Sequence, residues 1–423
     1  MPDIKIVIGG NFGDEGKGLV TASFADRMMG TGRECLVVLT NGGPQRGHTV
    51  VRGEKRHVFS HFGSGTFAGA DTYFPEEFIV NPMVFMKEYR ELLALYPDIR
   101  RLLIAIHPRC RVTTPFEMFT NLILEESRGN NRHGSVGLGI WETVIGNGKR
   151  FGQMKDMTPE ELWDYLNTDR RAQMEKRLSD NGLPGGLPGK WREVAGDPGL
   201  LHAYLEDFYA MGRIVQMADD TLLARYDQII FENGQGLLLD RARIRTGYGH
   251  HTTPSNTGIK NAADILCRAF PGMAAAKGEA DPRKLPGELS QAPGFDRPLD
   301  IEAVYVTRTY MTRHGAGRFD TECPADEIAP GLFDQTNLPN DSQGTIRYGR
   351  LNMPGLIRRA KRDFSYLENL LKGGEGSGVS ASFSLALTHL NEYRCPGSRS
   401  SHIRYRSYAE DGSLALEDSF QNG

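Results

Sequence analysis

The chain has 423 residues, 39% of them hydrophobic and 9% aromatic, which is enough apolar mass for a packed core. Its formal net charge of −3 excludes a global electrostatic attraction to nucleic acid or to an anionic membrane. Cys35, Cys110, Cys267, Cys323 and Cys395 are scattered, with no CxxC and no His/Cys cluster of metal-ligand spacing, so they read as reduced thiols. No apolar run reaches membrane-spanning length and the amino terminus reads as a strand, so a cytoplasmic protein is expected.

In chain order, Ile4–Ile8 reads as a buried strand that runs into Gly-Gly-Asn-Phe-Gly-Asp-Glu-Gly-Lys-Gly18, with a helix over Leu19–Met29. Backbone N–H groups at such a helix start converge on phosphate oxygens, glycines allow close approach, and a lysine neutralises charge. The spacing is not that of the ordinary P-loop. Asp14 and Glu15 sit inside the loop, where carboxylates beside a polyphosphate are costly unless a metal or a proton transfer uses them. A second strand, Cys35–Leu39, leads to Thr40-Asn-Gly-Gly-Pro-Gln-Arg-Gly-His-Thr49, which carries Gln45 and His48. Ligands bind at the carboxyl ends of strands in open α/β sheets, and histidine suits proton transfer near neutrality.

Further strands are expected at Leu102–Ile106, Gln228–Phe231, Ala303–Val306 and Ser384–Leu387. Thr158-Pro-Glu-Glu161 is a capping box opening a helix over Glu160–Leu178, and Leu201–Tyr226 reads as another long helix. Asp180–Gly199, Pro271–Arg297 and Lys372–Gly378 read as loops or insertions. The alternation of strands and helices predicts an α/β fold of P-loop-like type, a mostly parallel central sheet with helices on both faces. One domain over 1–423 is expected, with insertions near 180–199 and 271–297.

Four more polar stretches follow strands. Glu232-Asn-Gly-Gln-Gly236 presents Gln235, whose amide can read an oxo-purine edge, and the hydroxyl-rich turn from Thr252 to Gly258 can hold a phosphate. The adjacent pair His250-His251 is not read as a metal site, because neighbouring side chains diverge. Thr307 to Gly317 is basic and glycine-bearing, Gln343 to Arg350 carries two arginines, and Thr388-His-Leu-Asn391 ends the last strand.

Taken in order from about residue 5 to about 395, these motifs resemble the adenylosuccinate synthetase family. The Gly-Asp-Glu-Gly-Lys-Gly loop is close to a signature, and Gly-His-Thr, Gly-Gln-Gly-x-Leu-Leu-Asp and Thr-Arg-x-Gly-Ala-Gly follow in the family's order. The resemblance implies a ligase of purine biosynthesis that joins L-aspartate to C6 of a purine nucleoside monophosphate, typically IMP, through a 6-phosphoryl intermediate. Mg2+ and a nucleoside triphosphate, GTP or ATP, are then co-factor and co-substrate, and a homodimer is the expected state.

The same resemblance implies roles. Asp14 is the base that takes the N1 proton and a ligand to the metal, with the Gly47 carbonyl a second metal ligand. His48 is the acid assisting phosphoryl transfer, Lys17 holds the phosphoryl, and Gln235 orients O6. Gly13, Glu15, Gly16, Gly18, Thr49, Thr388 and Asn391 belong to the triphosphate site. Gln45, Ser135, Thr253 and Arg150 belong to the monophosphate site, with Lys149 and Arg150 reaching a partner's nucleotide. Thr345 and Arg347 belong to the aspartate site.

Three departures bear on substrates. The family's base-reading Thr-Lys-Leu-Asp is Thr388-His-Leu-Asn391 here, and an amide cannot accept both guanine donors, which points to ATP or dATP in place of GTP. The aspartate loop is reduced to Ser342-Gln-Gly-Thr-Ile-Arg347, and the family's Asn in the second glycine loop is Gln45, followed by Arg46. Viral relatives that act on dGMP show a similar donor change, but many of them replace the catalytic Asp with Ser, whereas Asp14 is kept. Both IMP and (d)GMP stay open as acceptors, and a non-catalytic nucleotide-binding regulator is the reading outside enzymology.

Overall fold

The computed structural model describes residues 2–183, 187, 189–243, 251–271, 273, 298–334, 337, 344–372 and 378–390, and the backbone alone for 244–246, 402–408 and 414–421. Eight strands form the central sheet, in the spatial order Val379–Thr388, Leu299–Arg308, Asp3–Gly9, Gln228–Gly236, Cys35–Leu39, Asp71–Phe74, Ile104–Ile106 and Gln216–Met217. Every neighbouring pair is parallel. All carboxyl ends therefore lie on one edge, and the glycine-rich loops meet there.

The strands are apolar on both faces, as a sheet covered twice requires. Val7, Val37, Leu39 and Val304 point to one core, packed under Ala22, Ala25 and Met28 of the helix Lys17–Met29 and Phe85 and Leu92 of Pro82–Leu95. Ile4, Ile6, Ile8, Leu36 and Val38 point the other way, to Ile265 and Leu266 of Lys260–Ala269 and to Ala360, Phe364 and Leu367 of Met353–Leu371. Each fully buried aliphatic side chain contributes about 1.5–3 kcal/mol.

The six expected strands all form, most of them longer than read from the sequence. Asp71–Phe74 and Gln216–Met217 complete the sheet without having been foreseen. The helix expected over Glu160–Leu178 runs from Pro159 to Asp180, opens with the Thr158 capping box and passes through a π-helical turn at Leu166–Arg170.

Two expectations are corrected. The helix read over Leu201–Tyr226 spans Pro198–Ile214 and stops. Val215 is extended, Gln216–Met217 pairs with Ile104–Ile106 as the edge strand, and Asp219 caps a 3-10 helix, Asp220–Arg225, through Thr221 N–H. The gain of sheet hydrogen bonds overrides helical periodicity there. The loop read over Asp180–Gly199 contains a helix, Gly189–Gly196, held by Trp191, whose indole N–H donates to Glu126 at 2.7 Å. The stretches 271–297 and 372–378 lie mostly outside the described residues.

The helix Lys260–Ala269 begins under a buried carboxylate. Asp363 accepts Ile259 N–H at 2.9 Å and the Tyr305 hydroxyl at 2.9 Å. Burial pushes its pKa from 3.8 up to about 6, against these two donors. A raised folded-state value means the stabilisation is complete below the unfolded pKa and is lost as pH rises through about 6. Asp363→Asn keeps an acceptor oxygen and removes the titration. Between pH 4 and pH 7 the wild type should lose on the order of 1–3 kcal/mol relative to this variant. Urea unfolding at both pH values reads the difference, and parallel midpoints would contradict it.

Candidate active site

The first loop leaves the central strand at Gly10, whose N–H donates to Val306 O at 2.9 Å. Asp14 takes the left-handed conformation at φ 56°, unusual for a residue with a side chain. Its backbone is held from outside: Arg308 Nε–H donates to Asp14 O, and Thr312 Oγ1 donates to Gly13 O at 3.3 Å. Gly16, at φ 85°, is the N-cap of the helix that starts at Lys17. A side chain there would also run into Thr388, which donates its hydroxyl to Glu15 O at 2.7 Å. The carboxyl end of Val379–Thr388 is thus bound to the first loop.

The two loop carboxylates have different environments. Asp14 is partly exposed, its side chain at 28%, with Oδ2 at 3.3 Å from His314 Nε2. Glu15 is buried; one oxygen accepts Asn11 N–H and the other, Oε2, has no hydrogen-bond partner among the described residues. Burial raises its carboxyl to about 7, opposed by the Lys17 charge. Lys17 is buried too, and desolvation lowers its pKa while Glu15 and Asp14 pull it back. A buried cation next to an unpartnered carboxylate oxygen at a helix start is poised for an anionic, metal-bearing ligand.

The second loop lies against the first. At Gly18 a Cβ would stand 2.7 Å from His48 Cβ, so only glycine lets the helix start approach the histidine. His48 begins the hairpin His48–Arg52/Lys55–Phe59 and is paired to Phe59, while Thr49 is half-buried opposite Val58. His48 Nδ1 lies 2.6 Å from Glu232 Oε1, and Arg46 Nη2 lies 3.2 Å from Glu232 Oε2. Ser64 gives the same carboxylate its hydroxyl and its N–H, the latter at 3.1 Å.

Burial lowers His48 to about 4, with Arg46 and Lys17 adding to it and Glu232 opposing. Glu232 falls to about 2: burial would raise it, and its cationic and hydrogen-bonding neighbours win. One counter-charge suffices for that carboxylate, and Arg46 supplies it, leaving His48 neutral with its proton on Nδ1. Nε2 then carries a lone pair.

Gln45 folds back on Gly42, and its Oε1 is buried with no hydrogen-bond partner among the described residues. The Gly47 backbone lies between Arg46 and His48.

Gln235, the penultimate residue of its strand, stands at φ 62° with a buried Oε1 that has no hydrogen-bond partner among the described residues, and a Cβ on Gly13 would meet its Cα at 3.7 Å. The turn bearing Thr253 is fixed by Asn233, which donates to Thr257 O at 2.9 Å and Gly258 O at 2.8 Å. Thr253 N–H donates to Leu239 O at 2.8 Å while its hydroxyl is buried with no hydrogen-bond partner among the described residues. Ser135 donates its hydroxyl to Asn121 at 2.7 Å, and Glu125 gathers the N–H groups of His133, Gly134 and Ser135. That stretch lies beside Thr253's turn, because the His133 and His251 rings are 5.2 Å apart.

Three assigned residues stand differently. Arg347 makes a two-point contact with Glu322 and donates to Gly315 O at 3.1 Å and Gly317 O at 2.9 Å. Thr345 is exposed just before the strand Arg347–Arg350. Arg150 caps the helix Phe151–Lys155 and bridges Arg111; burial and the Arg111 charge lower its pKa. Asn391 lies outside the described residues, so the base-reading departure is described only at Thr388 and His389.

Glu232 and Ser64 are not singled out by the sequence reading; Arg46 enters it only as a change to the purine pocket, and Arg308 only as a candidate second cation for the aspartate carboxylates, whereas it holds Asp14 O and Asp334. Glu232 and Arg46 had a visible signal, being ionisable residues inside two glycine motifs. Ser64 had none, and the basic stretch that contains Arg308 gave no sign of its partner Asp14, which is distant along the chain.

The adenylosuccinate synthetase family model matches residues 6–269. Adenylosuccinate synthetase of Desulfosudis oleivorans is 29% identical over 332 residues, covering 75% of this chain and 65% of that protein. That of Clostridium botulinum is 26% identical over 325 residues with the same coverage, 75% and 65%. The chain thus spans about 65% of the length of these curated relatives. A fully ligated adenylosuccinate synthetase from Plasmodium falciparum superimposes with TM-score 0.58 and 16% identity over 99% of this chain and 88% of its own, which establishes the fold. With its signature loops gathered on one sheet edge and more than half its length matched, the chain belongs to the adenylosuccinate synthetase family.

Proposed function

We propose that the protein is a ligase that joins L-aspartate to C6 of a purine nucleoside monophosphate, IMP giving adenylosuccinate, with cleavage of a nucleoside triphosphate. The contact of Gly18 with His48 carries this reading, since it sets a phosphate-type helix start against a proton-transfer group. In-line phosphoryl transfer needs such positioning and charge neutralisation rather than a covalent enzyme intermediate.

In this scheme Asp14 takes the N1 proton, and the purine O6 attacks the terminal phosphorus. Lys17 and the amides of Gly13 to Gly18 hold the transferring group. Gln235, with its unpartnered Oε1, orients the purine, while Thr253 and the backbone near Ser135 hold the monophosphate. The aspartate amine then adds at C6 and inorganic phosphate leaves. His48 acts as an acid only after Nε2 gains a proton, which an anionic phosphoryl group beside it favours. Hard oxygen donors suit Mg2+, and the partly exposed Asp14 carboxylate with the Gly47 carbonyl would hold it. Bound there, the ion would neutralise phosphate charge. Arg150 lies along Arg111 rather than on the glycine loops, which fits a role toward a second copy in a homodimer.

The replacement at Asn391 favours a second reading, a (d)GMP acceptor with ATP or dATP as donor. One assay separates the two. The protein is incubated with magnesium, aspartate, ATP or GTP, and each of IMP, GMP and dGMP. The product should have the mass of acceptor plus aspartate less water. Phosphate release that needs no monophosphate would leave an NTPase instead. Asp14→Ala should lower turnover by at least about 100-fold while triphosphate binding survives; unchanged turnover removes the mechanism.

The shared carboxylate gives a further expectation. Glu232→Ala strands the buried Arg46 guanidinium and should destabilise the fold by about 3–5 kcal/mol. Chemical denaturation measures it, and a loss under about 1 kcal/mol would show that Arg46 is not held as described.

A further inference from the structure

We propose that His314 is a positioning residue for Asp14, aiming its carboxylate through a closed hydrogen-bonded circuit. The assignment rests on the ligase reading for its catalytic consequence, but not for its structural one. His314 occupies the place that the Thr-Arg-x-Gly-Ala-Gly motif leaves open.

The circuit begins at Arg308. Its Nε–H donates to the Asp14 carbonyl, and its Nη2 donates to Asp334 Oδ2 at 2.7 Å. Asp334 in turn receives Asn337 N–H on Oδ1 at 3.0 Å and Asn337 Nδ2–H on Oδ2 at 2.8 Å. That second bond fixes the amide: Nδ2 faces the carboxylate, so Oδ1 is left as the acceptor. Asn337 Oδ1 lies 3.2 Å from His314 Nε2, and Asp14 Oδ2 lies 3.3 Å from the same nitrogen.

Two oxygen acceptors on one ring nitrogen decide the tautomer. Nε2 carries the hydrogen and presents it between Asn337 and Asp14. Asp14 is therefore gripped at its carbonyl by Arg308 and at one carboxylate oxygen by His314. Its other oxygen, Oδ1, is left for a ligand. A left-handed residue with a side chain persists only where its surroundings over-determine it, and this circuit does so.

The test uses the full chain and four proteins: wild type, His314→Ala, His314→Phe and His314→Gln. Glutamine offers an amide N–H near the place of Nε2–H, whereas phenylalanine fills the space without a donor. With the acceptor that wild type converts, Ala and Phe should lower kcat about 10- to 100-fold and leave KM for the triphosphate within about twofold. Gln should recover roughly fivefold or more of that loss. Ligand-free hydrogen exchange of residues 9–18 should quicken in Ala and Phe and stay near wild type in Gln. The assignment falls if Ala keeps kcat within about twofold of wild type, if Gln is as impaired as Phe, or if loop exchange is the same in all four. Should wild type convert no acceptor, the ligase reading fails, and the exchange data alone still decide the role of His314.

Discussion

The Glu232 carboxylate is the constraint on which the site depends. It sits fully buried on the central strand Gln228–Gly236, where an isolated charge would cost several kcal/mol. Four groups offset that cost: His48, Arg46, and the hydroxyl and N–H of Ser64. Three residues from two separate segments must reach one carboxylate, so the second glycine loop and the turn after the hairpin take their positions from it. The helix start at Gly18 then fits against His48 because glycine leaves the room. A stability device and the proposed chemical one share the same atoms.

A ladder of amides extends this order across the sheet edge. Thr40 donates to Asn233 Oδ1, and the Asn233 amide donates to the turn that carries Thr253. Asn41 and Gly234 bond each other in both directions, at 3.1 and 2.8 Å. The loops ending two neighbouring strands, Cys35–Leu39 and Gln228–Gly236, are therefore one connected body. Parallel pairing supplies the common edge, and these buried amides set the spacing between loops.

Much of this was legible in the sequence, for physical reasons. Glycines clustered with Asp14, Lys17 and His48 after apolar runs have few uses other than binding at strand ends, so the loops could be placed. The core strands could be read because a twice-covered sheet needs continuous apolar runs. What escaped depends on partners far along the chain. Gln216–Met217 is a strand only because Ile104–Ile106 offers an open edge, and no local pattern of two residues announces that. Glu232 meets Ser64 across 168 positions, and Arg308 meets Asp14 across 294, distances over which spacing carries no signal. The helix read through Val215 failed for the opposite reason: a genuine periodicity gave way to tertiary hydrogen bonding.

Arg347 has a consequence for any dicarboxylate that the proposed reaction would bring to it. Its guanidinium fork is occupied by Glu322, and its remaining amine braces the carbonyls of Gly315 and Gly317. An incoming acid reaches that fork only by evicting a resident one. Such an exchange trades one pair of charge-assisted bonds for a like pair, so its net driving force is small. In the proposed ligase scheme Glu322 would serve as a placeholder that keeps the loop shaped between turnovers, and capture of the amino acid would be a swap rather than an addition.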